Sequence, residues 1–173
     1  MKKYLSLVII VFYTSLCVAQ EKSKIEFVIR NVGLNVDGHF DSFSVTTKFD
    51  TLNNLEKLSG EAKVKSIETG IDSRDDHLLE EDYFNVSKFP KITLKSIALK
   101  KIVTNQYSAK VNLTIKGKTK QITIPITVEI SEASRKITSK FQINRRDFGV
   151  GGRSLVMSNT VKISVVHIEE ING

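Results

Sequence analysis

The sequence contains few of the residues that cross-link a fold or anchor it in a membrane. Among 173 residues there are one cysteine, two prolines and no tryptophan. The only cysteine, Cys17, lies in an N-terminal segment that we expect to be cleaved off. The mature chain would then have no disulfide, no thiol nucleophile and no cysteine metal ligand. A single domain of ~150 residues can bury a sufficient core without such cross-links.

Motifs of several enzyme classes are also missing. The chain has no Gly-x-Ser-x-Gly nucleophile elbow and no His-x-x-x-His metal pair. The glycine-rich residues 149–152 lie between two expected strands with no helix after them, so they do not form a dinucleotide-binding loop. Residues 117–119 copy the end of a Walker A loop, but Asn112 occupies the upstream glycine position. We expect no cofactor, no metal and no enzymatic activity.

The N-terminus has the pattern of a secretory signal peptide. Lys2 and Lys3 precede a short apolar run, and small residues end the segment at Ala19. The run is too short for a comfortable transmembrane helix. We therefore expect a signal peptide at 1–19, a domain at 20–173, and a periplasmic or secreted protein. A lipid anchor on Cys17 is the alternative, which the bulky Leu16 before it disfavours.

Positive charge is in excess, with a formal net charge of +7. The lysines are scattered over the polar positions of the expected strands, as a solvated exterior requires. A weak attraction to an anionic membrane surface is compatible with this charge. A homodimer is left open as a second association. No nucleic-acid recognition motif accompanies the basic residues, so we expect no nucleic-acid partner.

Polar and apolar residues alternate along about eight segments, which predicts strands. The clearest pair is 107–115 and 122–130, which alternate without a break on either side of a Gly117-Lys118 turn. Gly33 and the Asp37-Gly38 pair are expected to break the chain after the first strand. The remaining segments are centred on 25–29, 43–49, 58–68, 91–101, 137–145 and 161–165, with a bulge expected near Ser66.

One charge-rich segment, residues 69–96, interrupts the strands with a helical pattern. Ser73 is at the expected N-cap, and the acids at 75 and 76 favour the first helical turn. An apolar stripe follows, and Asn85 and Pro90 are expected to end the helix. The resulting fold class is all-β, an eight-stranded antiparallel barrel with one short helical insertion. Eight strands enclose an interior that either packs shut or holds one small ligand.

The inward-facing residues form the candidate cavity wall. Simple core packing explains any one of them, so full and hollow barrels both remain open at this point. The candidate wall residues are Phe27, Phe43, Phe49, Val111, Leu113, Ile122, Ile124, Phe141, Ile143 and Ile163.

Two polar groups are candidates for a special role. Alternation with Phe141 and Ile143 aims Arg145 inward, where it needs an acidic or carbonyl partner. We expect an ion pair that closes one barrel end, with Asp147 or an acid of the insertion; the alternative is a polar handle for a ligand headgroup. The acids beside His77 could form a general base or partial metal site, but they more simply stabilise the helix N-terminus.

Three separate motifs occur in the order typical of one family. The first consists of SRDDHL at 73–78, DYFNV at 82–86 and KFPKIT at 88–93, and the other two are LTIKGKTK at 113–120 and RRDFGV at 145–150. The chain resembles the YceI-like family over residues 24–170, and the resemblance implies a lipocalin-like barrel that binds a polyisoprenoid or similar lipid. The insertion would then supply a plug or lid at the mouth, formed by Leu78, Leu79, Tyr83 and Phe84.

Two other readings of the barrel stay open. A small outer-membrane barrel would suit the leader and the strand count, but it needs an outward apolar face between aromatic girdles. The chain has no tryptophan, and its C-terminus is Ile171-Asn172-Gly173 rather than an aromatic residue. A filled barrel that acts as an interaction module is the second alternative.

Overall fold

The structure, a computed structural model, describes residues 22–171, so the expected signal peptide lies outside the described residues. Ten strands and one α-helix, α1 (Asp72–Leu79), make up this part of the chain. Within residues 22–171, no helix is long and apolar enough to cross a membrane. The strands are β1 (Lys24–Asn31), β2 (Leu34–Phe40), β3 (Phe43–Phe49), β4 (Leu55–Lys63), β5 (Ile67–Glu68), β6 (Lys91–Val103), β7 (Gln106–Ile115), β8 (Lys118–Ile130), β9 (Ser134–Asn144) and β10 (Met157–Glu170).

All ten strands belong to one antiparallel sheet, in the order β3-β4-β6-β7-β8-β9-β10-β1-β2-β5. The sheet curls on itself because β2 runs into β3 after two residues, and β4 runs into β5 through a 3₁₀ turn, Val64–Ser66. The β3–β4 and β2–β5 pairs are therefore successive parts of one bent hairpin. Eight strand paths surround the interior, as the sequence predicts, and ten strands result because two paths are interrupted.

The strand β2 is the element that the sequence did not predict. Val32 and Gly33 have φ values of 51° and 79°, so the expected break is a two-residue hairpin turn with positive φ at both positions. Gly38 does not end the strand. It lies opposite Phe27 on β1, and a Cβ at this position would collide with the Phe27 ring. The glycine therefore makes room for an aromatic ring inside the barrel.

Two other local predictions need correction. The bulge expected near Ser66 is the 3₁₀ turn that separates β4 from β5. The helix α1 begins at Asp72, with Ile71 as its N-cap, so the predicted N-cap at Ser73 is wrong. The helix also ends at Leu79, well before Asn85, and turns lead from there to β6.

The barrel has two different ends. The helix end carries the β1–β2 turn, the α1 segment, the β7–β8 turn and the β9–β10 loop, residues 145–156. The far end carries the β3–β4, β6–β7 and β8–β9 turns. Buried side chains fill the interior toward the far end, and the backbone N–H of Leu55 donates there to the Tyr107 hydroxyl at 3.1 Å. The other members of this buried cluster are Leu58, Ala109, Val111, Ile124, Ile126, Val128 and Ile137.

Candidate functional site

A cavity of about 490 Å³ occupies the interior on the side of the helix end. Its wall is mostly aliphatic and aromatic, and it is formed by residues of all ten strands together with the α1 segment. Of the buried cluster at the far end, Tyr107, Leu55 and Val128 do not line the cavity, whereas its members Leu58, Ile124, Ile126 and Ile137 do. The interior is therefore plugged at one end and hollow toward the other.

The mouth of the cavity lies at the helix end. The exposed residues Ser73 and His77 of α1 line the cavity on one side. Asn31 and Met157, which pair between β1 and β10, line it on the other side. Ser73 and His77 are exposed polar residues, whereas most of the wall is apolar and at most partly exposed, so we infer that a ligand reaches the interior from this end.

Six of the ten predicted wall residues line the cavity. Phe27, Ile163 and Phe141 form one row across three neighbouring strands, because each lies directly opposite the next in the sheet. Strictly alternating strands carry such rows on a single face. The other three predicted residues on the wall are Leu113, Ile124 and Ile143.

Four predicted wall residues lie elsewhere. Val111 is fully buried within the cluster that fills the far end, and Ile122 packs against that cluster. Phe49 stacks under Arg135, with the guanidinium carbon 4.4 Å from the ring centroid. Phe43 packs on the cluster of Phe40, Ala62 and Ile67. Alternation identifies the inward face correctly, but it does not say at which level of the barrel a side chain meets open space.

The insertion places three of its four predicted lid residues on the cavity. Leu78, Tyr83 and Phe84 line the wall, whereas Leu79 packs on the Phe40 cluster beside the cavity. The Tyr83 ring contacts the His77 ring edge-on, with centroids 4.8 Å apart. This aromatic pair lies at the mouth, where it covers part of the opening.

Backbone and lysine contacts fix the insertion against the β9–β10 loop. The Gly151 N–H donates to the Asp82 carbonyl oxygen at 2.9 Å. Lys116, on the β7–β8 turn, donates to the same Asp82 oxygen at 3.2 Å and to the Gly149 oxygen at 3.0 Å. The covering segment is thereby connected to two other parts of the helix end.

Arg145 is only 3% exposed and lines the cavity, but its expected ion pair is not formed. The guanidinium has five N–H donors. Its nitrogens contact the backbone oxygens of Val150 at 2.7 Å, Ser158 at 2.8 Å, Gly152 at 3.1 Å and Met157 at 3.3 Å. A fifth contact goes to the Asn159 side-chain oxygen at 3.3 Å.

None of these five acceptors is a carboxylate. Burial is the main cause of a lowered pKa of the Arg145 guanidinium, and Tyr83 partly opposes that shift. The side chain fixes the β9–β10 loop in place with all of its donors. No donor is left for a ligand headgroup, so the handle role considered from the sequence has no geometric support.

A further ionisable side chain of the cavity wall is His167 on β10. The residue is largely buried, and burial lowers the pKa of its imidazole, while the nearby Glu169 partly opposes the shift. Its Nε2 lies 3.8 Å from a Glu169 oxygen, and its Nδ1 lies 3.4 Å from the Ser23 hydroxyl. Glu169 in turn pairs with Arg135 at 3.2 Å and accepts from the Thr47 hydroxyl at 2.5 Å.

The acids beside His77 do not assemble a reactive site. Asp75 is buried and accepts from the backbone N–H of Thr69 at 3.1 Å and from the Thr69 hydroxyl. His77 pairs instead with Glu80, Nδ1 to Oε2, at 3.0 Å. Within residues 22–171, no group of three or more His, Cys, Asp or Glu side chains is arranged to hold a metal ion.

Several wall residues were not on the predicted list. Ile25, Ile29, Val161 and Val165 share a face with Phe27 and Ile163, so strand alternation could have identified them. Two further groups of wall residues could not be identified from strand alternation. Val36 and Phe40 belong to the unpredicted strand β2, and Phe148, Val150 and Met157 lie on or beside the irregular β9–β10 loop.

Comparisons with known proteins agree on one family. A model of the YceI-like domain matches residues 17–167. A UPF0312 protein of Yersinia enterocolitica is 34% identical over 102 residues, covering 58% of this chain and 53% of that protein. A UPF0312 protein of Yersinia pseudotuberculosis is 35% identical over the same length, with the same coverage. The chain's match therefore spans about half the length of these curated relatives.

Solved structures of similar fold come from three further organisms. BcnA of Burkholderia cenocepacia has a TM-score of 0.80 at 26% identity, over 85% of this chain and 96% of that one. A YCEI protein of Campylobacter jejuni has a TM-score of 0.73 at 20% identity, over the full length of both chains. A polyisoprenoid binding domain from Saccharophagus degradans has a TM-score of 0.69 at 18% identity, over 87% and 94%.

Proposed function

Since this chain belongs to the YceI-like family, we propose that it binds a polyisoprenoid or a similar long hydrocarbon chain inside its barrel. The observation that carries the proposal is the apolar cavity of about 490 Å³, plugged at the far end and open at the helix end. The structural neighbour from Saccharophagus degradans, described as a polyisoprenoid binding domain, supports the same ligand class.

The physical basis of binding is the transfer of methylene and methyl groups from water to the cavity wall. Each buried methylene contributes ~0.8 kcal/mol, so a chain of several isoprene units gains substantial affinity without any polar contact. The row Phe27–Ile163–Phe141 and the aliphatic residues around it supply the wall. The His77–Tyr83 pair and Phe84 cover part of the mouth, which limits the contact of bound chain with water.

Arg145 has no N–H group free for the polar end of the ligand, because backbone and amide oxygens accept all of them. The hydrocarbon portion, and not a charged headgroup, therefore dominates recognition in this proposal. The protein acts as a carrier or sequestering protein rather than as an enzyme. Export to the periplasm or the medium, based on the N-terminal pattern at 1–19, is part of the same proposal.

Lipid extraction tests this function directly. Purified protein is extracted with organic solvent, the extract is analysed by mass spectrometry, and the emptied protein is offered a polyprenol. We expect a polyisoprenoid or another long-chain lipid in the extract and stoichiometric uptake of the polyprenol. Repeated absence of bound lipid together with no uptake would contradict the proposal.

A cavity-filling substitution sharpens the test. Ile163→Trp places a large ring into the space in front of the Phe27 and Phe141 row, so polyprenol uptake should fall at least about tenfold. Ile97→Trp is the matched control, because Ile97 is exposed on β6 and does not line the cavity. Equal uptake by both variants would place the ligand outside the cavity, and would favour a filled barrel that serves as an interaction module.

A further inference from the structure

Four apolar side chains project into solvent beside the cavity mouth. Their exposed fractions are 69% for Val32, 73% for Leu34, 105% for Leu155 and 59% for Val156. Val32 lies in the β1–β2 turn, Leu34 begins β2, and the other two lie in the β9–β10 loop. The Val32 N–H joins the two segments by donating to the Val156 oxygen at 3.0 Å. We name these four residues the apolar rim.

The apolar rim is continuous with the entrance to the cavity. Asn31 and Met157, which are the chain neighbours of Val32 and Val156, pair with each other and line the cavity. We propose that the apolar rim docks the protein on a phospholipid bilayer that contains anionic lipid, with the cavity mouth held against the membrane. The proposal rests on the proposed function in that a docked mouth lets a hydrocarbon chain pass between bilayer and cavity.

Exposed apolar side chains of this kind need an explanation. Scattered surface apolar residues are ordinary, but a contiguous group beside a ligand cavity is typical of an interaction site. A bilayer interface accommodates such a group, because leucine and valine side chains reach the boundary between headgroups and acyl chains.

The backbone at Val32 gives a second, independent reason. Its φ of 51° lies in the left-handed region, where a β-branched residue is strained. A two-residue hairpin turn with positive φ at both positions favours asparagine or aspartate before glycine. Turn stability therefore does not account for valine here, whereas an apolar contact at the tip of the turn does.

The charges around the apolar rim fit an anionic surface. The turn region 30–36 and the β9–β10 loop, residues 145–156, carry the exposed Arg30, Arg146 and Arg153 against one exposed acid, Asp147. Basic side chains beside an apolar segment are attracted to anionic headgroups. On the other side of the mouth, α1 carries the exposed acids Asp72 and Asp76, so the favourable surface is confined to the turn and the loop.

The far end lacks this combination. It also exposes apolar side chains, including Leu52 and Ile102, but the acids Asp50 and Glu132 lie on its turns. Its interior is filled by the buried cluster around Tyr107, so no cavity opens there. The far end therefore provides matched control positions.

Vesicle flotation tests the proposal, using vesicles of phosphatidylcholine alone and of phosphatidylcholine mixed with phosphatidylglycerol. The full chain should float with the mixed vesicles, and Val32→Asn combined with Leu155→Ser should bind them at least about tenfold more weakly. Val32→Asn removes apolar surface while relieving the strained turn, so the thermal midpoint should stay the same or rise. Arg153→Gln should weaken binding about fivefold on mixed vesicles only.

The control variant is Leu52→Asn combined with Ile102→Ser, which should bind mixed vesicles as the unmodified protein does. Unchanged binding by the rim variant, an equal loss in the control variant, or no flotation of the unmodified protein would each overturn the docking surface.

Uptake of a fluorescent polyprenol separates this proposal from the proposed function. From a dilute dispersion, the rim variant should take up polyprenol as the unmodified protein does; from mixed vesicles, its uptake should be slower by the same factor as its binding. If flotation behaves as expected but no protein takes up polyprenol from either source, the proposed function fails and the docking surface stands.

Discussion

The guanidinium of Arg145 donates to the carbonyl oxygen of Val150 at 2.7 Å, and this bond holds the start of a glycine-rich loop against the end of β9. The same side chain reaches oxygens on both sides of the loop, up to Asn159. Beyond the 3₁₀ turn Arg145–Phe148 the loop has no regular structure, and this one arginine holds it in place. The cavity wall depends on it, because Val150 and Met157 are wall residues.

Replacement of Arg145 should therefore destabilise the fold and not merely alter binding. Arg145→Lys keeps the charge but cannot reach five acceptors in a planar fork, and several buried carbonyl groups lose their partner. We expect the free energy of unfolding to fall by about 3 kcal/mol, measured by urea denaturation. The exposed neighbour variant Arg146→Lys should change it by less than about 0.5 kcal/mol. A lysine variant as stable as the unmodified protein would show that the loop does not need these bonds.

The contact between Gly38 and Phe27 makes a second prediction. A Cβ on Gly38 would collide with the Phe27 ring and come within 2.9 Å of the Glu68 carbonyl oxygen. We expect Gly38→Ala to lower the free energy of unfolding by about 1–3 kcal/mol and to reduce lipid uptake by shifting the ring. Phe27→Leu in the same chain should recover part of the stability, so a double-mutant cycle should give a coupling of at least about 0.5 kcal/mol. If the two substitutions change the unfolding free energy additively, the loss in Gly38→Ala comes from the contact with the Glu68 carbonyl oxygen instead.

Gly38 also shows why the sequence predicted most of the fold but not all of it. Alternation along β7 and β8 is uninterrupted, and the structure pairs them in the predicted hairpin. In β2, by contrast, Asp37 and Gly38 have the local chemistry of a turn. Only the Phe27 ring on a neighbouring strand explains the glycine, and such a tertiary contact leaves no periodic signal.

The candidate site, like the fold, could be predicted from the sequence only in part. The inward face of each strand follows from period two, which identified Phe27, Phe141 and Ile163. Whether a given level of the barrel is filled depends on the sizes of all side chains at that level, which explains why Val111 is buried in packing. The partners of Arg145 are backbone oxygens of an irregular loop, and residue identity does not encode them.

The contact between Asp75 and Thr69 should control the position of the lid. Asp75 is buried, and its carboxylate accepts both the backbone N–H and the hydroxyl of Thr69. Asp75→Ala leaves those donors without an acceptor, so we expect a loss of about 1–3 kcal/mol in unfolding free energy and faster exchange of the α1 amide hydrogens. Asp76→Ala is the matched control, because Asp76 is the exposed neighbour on the same helix. Equal exchange in both variants would refute this anchoring role.

Buried His167 should make stability depend on pH in a narrow range. Burial lowers the pKa of its imidazole below the ordinary value of about 6.5, so the unfolded chain binds a proton more readily than the folded chain. The contribution of the neutral His167 side chain to the unfolding free energy is therefore fully present above about pH 6.5. It is lost as the pH falls from there toward the lowered pKa of the folded state, and the unfolding free energy then changes by at most about 1.4 kcal/mol per pH unit. His167→Gln should remove this slope in urea denaturation between about pH 5 and 7, whereas His39→Gln, on the exposed face of β2, should leave it unchanged. A slope that persists in His167→Gln would show that the pH dependence does not come from this imidazole.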